Sequence, residues 1–103
     1  MVNRTASDLL HEARSQERAA CIPEAVRCYE AAISTAERLG EKAILAEASR
    51  RLAVVLHHRN ESSRARDLCN RSYKLACALG NDVLAAEALN TMGGLAQIGR
   101  AHV

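Results

Sequence analysis

The chain has few of the residues that interrupt helices or fill a large core. Its 103 residues include one proline, five glycines, two tyrosines and neither phenylalanine nor tryptophan. Because proline and glycine oppose helix formation most strongly, their scarcity leaves long stretches free to be helical. The lack of large aromatic side chains predicts a thin core lined by alanine and leucine. With so few rings to stack on bases and a formal net charge of only +2, we expect no nucleic-acid partner.

Long hydrophobic runs are also lacking. No stretch approaches the roughly 18 uninterrupted apolar residues that span a bilayer, and no signal-like apolar run follows Met1. We therefore expect a cytoplasmic protein with no membrane partner. In that compartment the four cysteines, which lack C-x-x-C spacing, are expected to be reduced and mostly packed as small hydrophobic side chains. A disulfide between different helices or a zinc site is the alternative for Cys21, Cys28, Cys69 and Cys77.

The sequence carries no recognisable catalytic or cofactor motif. It has no nucleophile elbow, no phosphate-binding glycine loop and no H-E-x-x-H pair. His57 and His58 are adjacent, so on a helix their side chains diverge by about 100° and cannot bind one metal as an i, i+4 pair. We predict a protein that is not an enzyme and has no catalytic residue, cofactor or metal.

What the sequence does contain is an internal repeat. Leu39-Gly40 recurs as Leu79-Gly80, and the run Ala-Glu-Ala at residues 46–48 recurs at residues 86–88. The separation of Leu39 from Leu79, called the repeat offset below, is about 40 residues and lies in the range typical of solenoid proteins. In a solenoid each unit buries its apolar face against its neighbours. We therefore predict an all-α solenoid of antiparallel helix pairs, with about two and a half repeats.

Apolar residues at three-and-four spacing, together with turn residues, predict five helices. Their predicted ranges are residues 6–19, 23–39, 42–59, 63–79 and a last helix from about residue 83. Gly40 is expected to end the second helix with a positive φ. The expected N-caps are Thr5 or Ser7 for the first helix, Ser62 or Ser63 for the fourth and Asn81-Asp82 for the fifth.

The third and fourth helices resemble one tetratricopeptide repeat. The pattern of that family is W-x2-L-G-x2-Y followed by A-x3-F. The corresponding residues here are Ser49, Leu52, Ala53, Leu56, Ala65 and Cys69. Matching positions in the other helices are Leu9, Ala13, Ala25, Tyr29, Leu89, Met92, Gly93 and Ala96. The repeat offset exceeds the family's usual period of about 34 residues and indicates a variant with longer second helices, similar to those of bacterial regulators and signalling scaffolds.

The resemblance implies a non-catalytic scaffold for protein–protein interaction. In such proteins the first helix of each pair lines a concave groove that holds an extended peptide or a partner helix. Four arginines would make the groove basic and favour an acidic peptide or a C-terminal carboxylate, held by guanidinium forks. The residues predicted to bind the partner are Arg14, Arg18, Arg50, Arg51, His57, His58 and Asn90. The alternative is that these side chains are ordinary solvated helix faces.

The predicted array ends on an unpaired helix. Its fifth helix would leave Leu89, Met92 and Leu95 with an uncovered face, which suggests self-association or a regulatory segment of a larger signalling or transcription-regulatory protein, of bacterial type, as the alternative function. The last six residues, Ile-Gly-Arg-Ala-His-Val, resemble the translation of a common sequencing adapter. We therefore predict an incomplete repeat array over residues 1–97, followed by a non-native tail over residues 98–103.

Overall fold

The chain folds into five α-helices joined by short turns. A computed structural model describes the backbone of residues 4–100 and the side chains of residues 4–95. The helices are α1 Ala6–Arg18, α2 Ile22–Leu39, α3 Lys42–His58, α4 Ser62–Leu79 and α5 Asp82–Arg100. Each predicted helix boundary agrees within one residue, and no strand occurs in the described range, so the predicted all-α class with five helices is confirmed. Residues 101–103 of the predicted tail lie outside the described part of the chain.

The helices pack in two layers. Each helix contacts the next one along the chain, and α3 also contacts both α1 and α5. The first helices of successive pairs therefore lie side by side in one layer, while α2 and α4 form the other. The molecule measures 52 × 33 × 19 Å, and its smallest dimension corresponds to two helices of about 10 Å diameter each.

Small side chains dominate the core. Among residues 4–95, eleven of the twenty buried hydrophobic residues are alanines, and the largest fully buried side chains are those of Tyr29, Leu52 and Leu56. Alanine lets helix axes approach closely, so contact between backbones replaces the bulk of large side chains. This packing is the thin, alanine-lined core that the composition predicts.

A left-handed residue closes every turn between helices. Positive φ angles occur at Ala20 (62°), Gly40 (71°), Asn60 (66°) and Gly80 (66°), which are evenly spaced along the chain. The residue after each of them donates its N–H to the carbonyl five positions back, as in Cys21 N to Gln16 O at 2.9 Å. These Schellman turns satisfy carbonyl groups at the helix ends. The backbone therefore repeats its turn twice within each repeat of the sequence.

Two of the predicted N-caps are confirmed and one is wrong. Thr5 and Asp8 form a capping box, in which Asp8 N donates to Thr5 Oγ1 at 3.0 Å. The hydrogen bonds from Thr5 lower the pKa of the Asp8 carboxyl. Asn81 Oδ1 accepts from Leu84 N at 3.1 Å at the start of α5. For α4, the left-handed Asn60 makes Glu61 the N-cap residue, without a side-chain cap bond, and Ser62 is already inside the helix.

Replacement of Ala20 with glycine is expected to stabilise the protein. A Cβ atom in the left-handed region costs about 1 kcal/mol, and Ala20→Gly removes it at φ 62°. The free energy of unfolding, measured by urea titration with circular dichroism, should rise by about 0.5–1 kcal/mol.

Gly40→Ala is the matched control, because it makes the opposite substitution, glycine to alanine, at the next turn. Nothing lies within 4 Å of a Cβ built on Gly40 at φ 71°, so backbone strain alone should lower the free energy of unfolding by about 1 kcal/mol. A destabilised Ala20→Gly variant, or a neutral Gly40→Ala variant, would contradict the role given to these turns.

Candidate functional site

A basic cleft lies between α1 and α3. Its lining consists of Arg14, Glu17 and Arg18 from α1 and Arg51 from α3, around a depression of 240 Å³. Spacings of three and four residues put the α1 side chains on one helix face, and the contact between α1 and α3 brings Arg51 to them. Three guanidinium groups and the carboxylate of Glu17 line the cleft, and Glu47 pairs with Arg51 at 2.9 Å, so these five side chains carry a net charge of 3 − 2 = +1. Three of the seven predicted binding residues therefore share one site.

The core anchors the carboxylate of the basic cleft. Tyr29 is fully buried in α2, and its hydroxyl donates a hydrogen bond to Glu17 Oε1 at 2.6 Å. Burial, followed by the bond to Glu17, raises the pKa of the Tyr29 hydroxyl far above its ordinary value. Tyr29 therefore stays a neutral donor. Glu17 is not among the residues predicted from the sequence, although a buried tyrosine requires a partner for its hydroxyl and Glu17 lies one turn from Arg14.

The arginines of the basic cleft differ in how they are held. Arg51 Nε donates to Glu47 Oε2 at 2.9 Å, and this bond uses one of five guanidinium donors. Arg14 and Arg18 form no ion pair with the carboxylates of residues 4–95. Donors of all three side chains are therefore left for a ligand.

Arg50 contacts α5, whereas its neighbour Arg51 faces the basic cleft. Arg50 Nη2 lies 3.3 Å from Glu87 Oε2 on α5, and its side chain is only 15% exposed. Within the described side chains its Nε is buried without a hydrogen-bond partner. Arg50 thus links α3 to α5 and does not line the basic cleft.

The remaining predicted residues lie away from the basic cleft. His57 and His58 occupy the last turn of α3, with ring centroids 6.1 Å apart and planes inclined by 65°. His57 is half-buried and His58 is exposed, as is Asn90 on α5. The structure therefore brings together Arg14, Arg18 and Arg51, whereas the two histidines and Asn90 are not part of the lining of the cleft.

Neither a metal cluster nor a membrane span is found in the described range. Among the described residues no three side chains of His, Cys, Asp or Glu are grouped to bind a metal. None of the helices over residues 4–100 combines the length and apolar character needed to cross a membrane.

The four cysteines are free, and only one of them is fully buried. The expectation that they mostly pack as small hydrophobic side chains is wrong for two, because Cys21 and Cys77 are exposed at helix ends. Cys28 is intermediate. Cys69 Sγ donates to Ala88 O at 3.5 Å, and burial raises the pKa of its thiol.

A second surface feature is the apolar face of α5 around Leu89, whose side chain is 51% exposed. Val83 is 68% exposed, but it precedes Leu89 by six residues and therefore lies about 120° away around the helix. Ser49, the equivalent of Leu89 at the repeat offset, is fully buried, because α3 is contacted by four helices whereas α5 contacts only α3 and α4 within the described range. The predicted exposure is confirmed for Leu89, while Met92 and Leu95 are half-buried against the core.

Removal of the Tyr29 hydroxyl is expected to loosen the basic cleft. Tyr29→Phe deletes the 2.6 Å bond to Glu17 and should lower the free energy of unfolding by about 1 kcal/mol in a urea titration. The matched control is Tyr73→Phe, a half-buried tyrosine on α4, which should change the free energy by less than about 0.5 kcal/mol. Equal losses in the two variants would show that the Tyr29–Glu17 bond contributes nothing specific.

Comparison with known proteins adds no family to these observations. No protein-family model matches the chain, and no curated protein or solved structure is significantly similar to it.

Proposed function

We propose that the chain is a non-catalytic protein–protein interaction module that binds an acidic peptide along the layer of α1, α3 and α5. In this proposal the fold is an α-solenoid of the tetratricopeptide-like type. The support is the internal sequence repeat, the lateral contacts of α3 with α1 and α5 and the evenly spaced left-handed turns. Successive first helices of such a stack form a continuous surface for an extended ligand.

The observation that carries the proposal is the basic cleft. Two of its arginines are without ion pairs among the described residues, and the third offers further donors. Guanidinium groups bind carboxylates through two parallel hydrogen bonds, which gives both orientation and affinity. An acidic side chain of a peptide therefore suits this cleft better than an apolar one.

The repeat also suggests the path of the peptide. At the repeat offset, Arg18 corresponds to His58, and Arg51 corresponds to Thr91, the neighbour of Asn90. Equivalent positions on successive helices of a repeat protein line the same surface. We propose that the peptide starts at the basic cleft and continues past His57 and His58 toward Asn90, whose amide bonds to peptide backbone.

The free cysteines support a cytoplasmic location for this proposed module. All four cysteines are free, and two of them are exposed. Exposed free thiols persist in the reducing cytoplasm and are oxidised outside it. We therefore propose a cytoplasmic module.

Charge reversal in the basic cleft is expected to abolish peptide capture. The probe is a fluorescein-labelled hexaglutamate peptide, followed by fluorescence anisotropy with the full chain at low ionic strength. Arg14→Glu and Arg51→Glu should each weaken binding by about tenfold or more, because repulsion replaces a guanidinium–carboxylate pair.

Arg27→Glu provides the matched control. Arg27 is 70% exposed on α2 and lies outside the basic cleft, so its reversal should weaken binding by less than about twofold. Circular dichroism verifies that each variant is folded. Equal binding of a hexalysine peptide, or an equal loss in Arg27→Glu, would refute the proposed site.

The apolar face of α5 favours a second candidate function, self-association. Its wider form is a regulatory segment whose α5 packs on further repeats of a larger signalling or transcription-regulatory protein. Leu89 is more than half exposed, and burial of a large apolar side chain stabilises by about 1.5–3 kcal/mol. A second copy that covers this face would recover that free energy.

Sedimentation equilibrium of the full chain tests this second candidate. Leu89→Lys should lower the association constant by about tenfold or more, since a buried charge replaces an apolar contact. Leu39→Lys is the matched control, because Leu39 is 54% exposed at the end of α2, away from α5. A monomer at every concentration, or equal effects of both substitutions, would exclude self-association through this face.

A further inference from the structure

We propose that the peptide is held at two points, by one acidic side chain in the basic cleft and by one aliphatic side chain in an apolar pocket between the first turns of α3 and α5. This inference rests on the proposed function and specifies its ligand. The apolar pocket has a volume of 370 Å³, within the range of roughly 300–1,000 Å³ that is usual for ligand sites. Its lining residues are Ala43, Ile44, Glu47, Asn81, Val83 and Leu84.

The apolar pocket accounts for an exposed side chain that the face around Leu89 leaves unexplained. Val83 is 68% exposed, the largest exposure of any large hydrophobic side chain among residues 4–95. It lies about 120° from Leu89 around α5 and forms part of the lining of the apolar pocket. An aliphatic side chain that enters the pocket would remove Val83 from water, and burial of apolar surface on both partners favours binding.

The internal repeat places the apolar pocket on the layer of α1, α3 and α5. At the repeat offset, Ala43 and Ile44 on α3 correspond to Val83 and Leu84 on α5, so equivalent positions of two successive first helices form its walls. Asn81 Oδ1 accepts from Leu84 N at 3.1 Å. That bond orients the amide group and leaves its N–H donors for a carbonyl group of the peptide backbone.

The Glu47–Arg51 bond joins the apolar pocket to the basic cleft. Glu47 lines the pocket and Arg51 lines the cleft, and Arg51 Nε donates to Glu47 Oε2 at 2.9 Å. Ile44 precedes Arg51 by seven residues, which is a rise of about 10.5 Å along α3. A peptide in the polyproline II conformation covers about 9.3 Å in three residues and completes one turn, so side chains three positions apart point to the same side. We therefore infer a spacing of three residues between the acidic and the aliphatic side chain.

The charge of the basic cleft favours a single acidic residue in this ligand. With Glu47 included, the charged side chains of the cleft sum to 3 − 2 = +1, which one carboxylate neutralises. A second acidic residue between the two anchors would approach the carboxylate of Glu47, and like charges repel. The path toward His57 and His58 leaves the cleft in the other direction, because these histidines lie in the last turn of α3.

The test compares four peptides on the isotopically labelled full chain, with backbone amide signals followed by nuclear magnetic resonance. All four are acetylated and amidated, so that the central glutamate carries the only charge. The first peptide, Leu-Ala-Ala-Glu-Ala-Ala-Leu, has a leucine three positions from the glutamate on each side and therefore tests both chain directions. The second, Ala-Ala-Leu-Glu-Leu-Ala-Ala, has the same composition with adjacent leucines. The third replaces both leucines of the first with alanine, and the fourth replaces its glutamate with glutamine.

The first peptide should bind about tenfold more tightly than the second and the third. Burial of one leucine side chain supplies a gain of this size, and a leucine next to the glutamate is too close to reach the apolar pocket from the basic cleft. The fourth peptide should also bind about tenfold more weakly than the first, because it lacks the carboxylate. Equal affinity of the first and second peptides would overturn the inferred spacing and with it the two-point ligand.

Variants of the protein locate the two anchors. Val83→Gln should reduce the tenfold advantage of the first peptide over the third to less than about threefold and leave the affinity for the third unchanged. Leu39→Gln is the matched control, because Leu39 is 54% exposed at the end of α2 and outside the apolar pocket; it should keep the full advantage. Arg14→Gln should weaken both peptides by about tenfold. An advantage that persists in Val83→Gln, or is lost equally in Leu39→Gln, would overturn the inference.

The outcomes also separate this inference from the proposed function. Binding of the third peptide through Arg14, with no gain from leucine at either spacing, would leave the acidic-peptide module standing and refute the apolar anchor. Equal binding of the first and fourth peptides, or failure of all four to bind, would refute the two proposals together.

Discussion

The close packing of α3 against all four other helices is the constraint on which the remaining structure depends. A helix contacted from so many directions has little room for large side chains. Accordingly Ala46, Ala48, Ser49 and Ala53 are all fully buried on α3. Leu52 and Leu56 supply the bulk between them. A large residue at any of the small positions would separate helix axes that lie in contact, and overpacking of a close-packed core typically costs about 1–3 kcal/mol.

Hydrogen bonds between helices determine how the alanine-rich helix faces are aligned with one another. Ser72 Oγ on α4 donates to Ala46 O on α3 at 2.6 Å, and Cys69 Sγ on α4 donates to Ala88 O on α5 at 3.5 Å. Alanine-rich faces alone could slide along one another with little change in buried area. Polar side chains that reach the backbone of the neighbouring helix favour one alignment, because any other leaves a buried donor or carbonyl without its partner.

Much of the fold follows from local signals, while the sites require tertiary contacts. The helix boundaries are predictable because Gly40 and Gly80 mark turns directly and the apolar spacing marks the helices between them. The left-handed turns at Ala20 and Asn60 carry no glycine, and only Asn60 is of a type that often adopts this conformation, so the turn at Ala20 has no local signal of its own. The arginines of the basic cleft are predictable from the offset, but the bond between Tyr29 and Glu17 and the pairing of Arg50 with Glu87 depend on which helices meet.

Adjacent residues on α3 serve opposite sides of its layer. Arg50 and Arg51 diverge by about 100° on the helix, so one pairs with α5 and the other lines the cleft against α1. A ligand confined to the basic cleft would therefore leave both the Arg50–Glu87 contact and Leu89 undisturbed. A longer peptide that reaches Asn90 would end beside Leu89 on α5, so the two candidate functions share that end of the surface. A short ligand can therefore occupy the cleft between α1 and α3 while the chain associates through α5, because α3, which contacts both α1 and α5, separates the two sites.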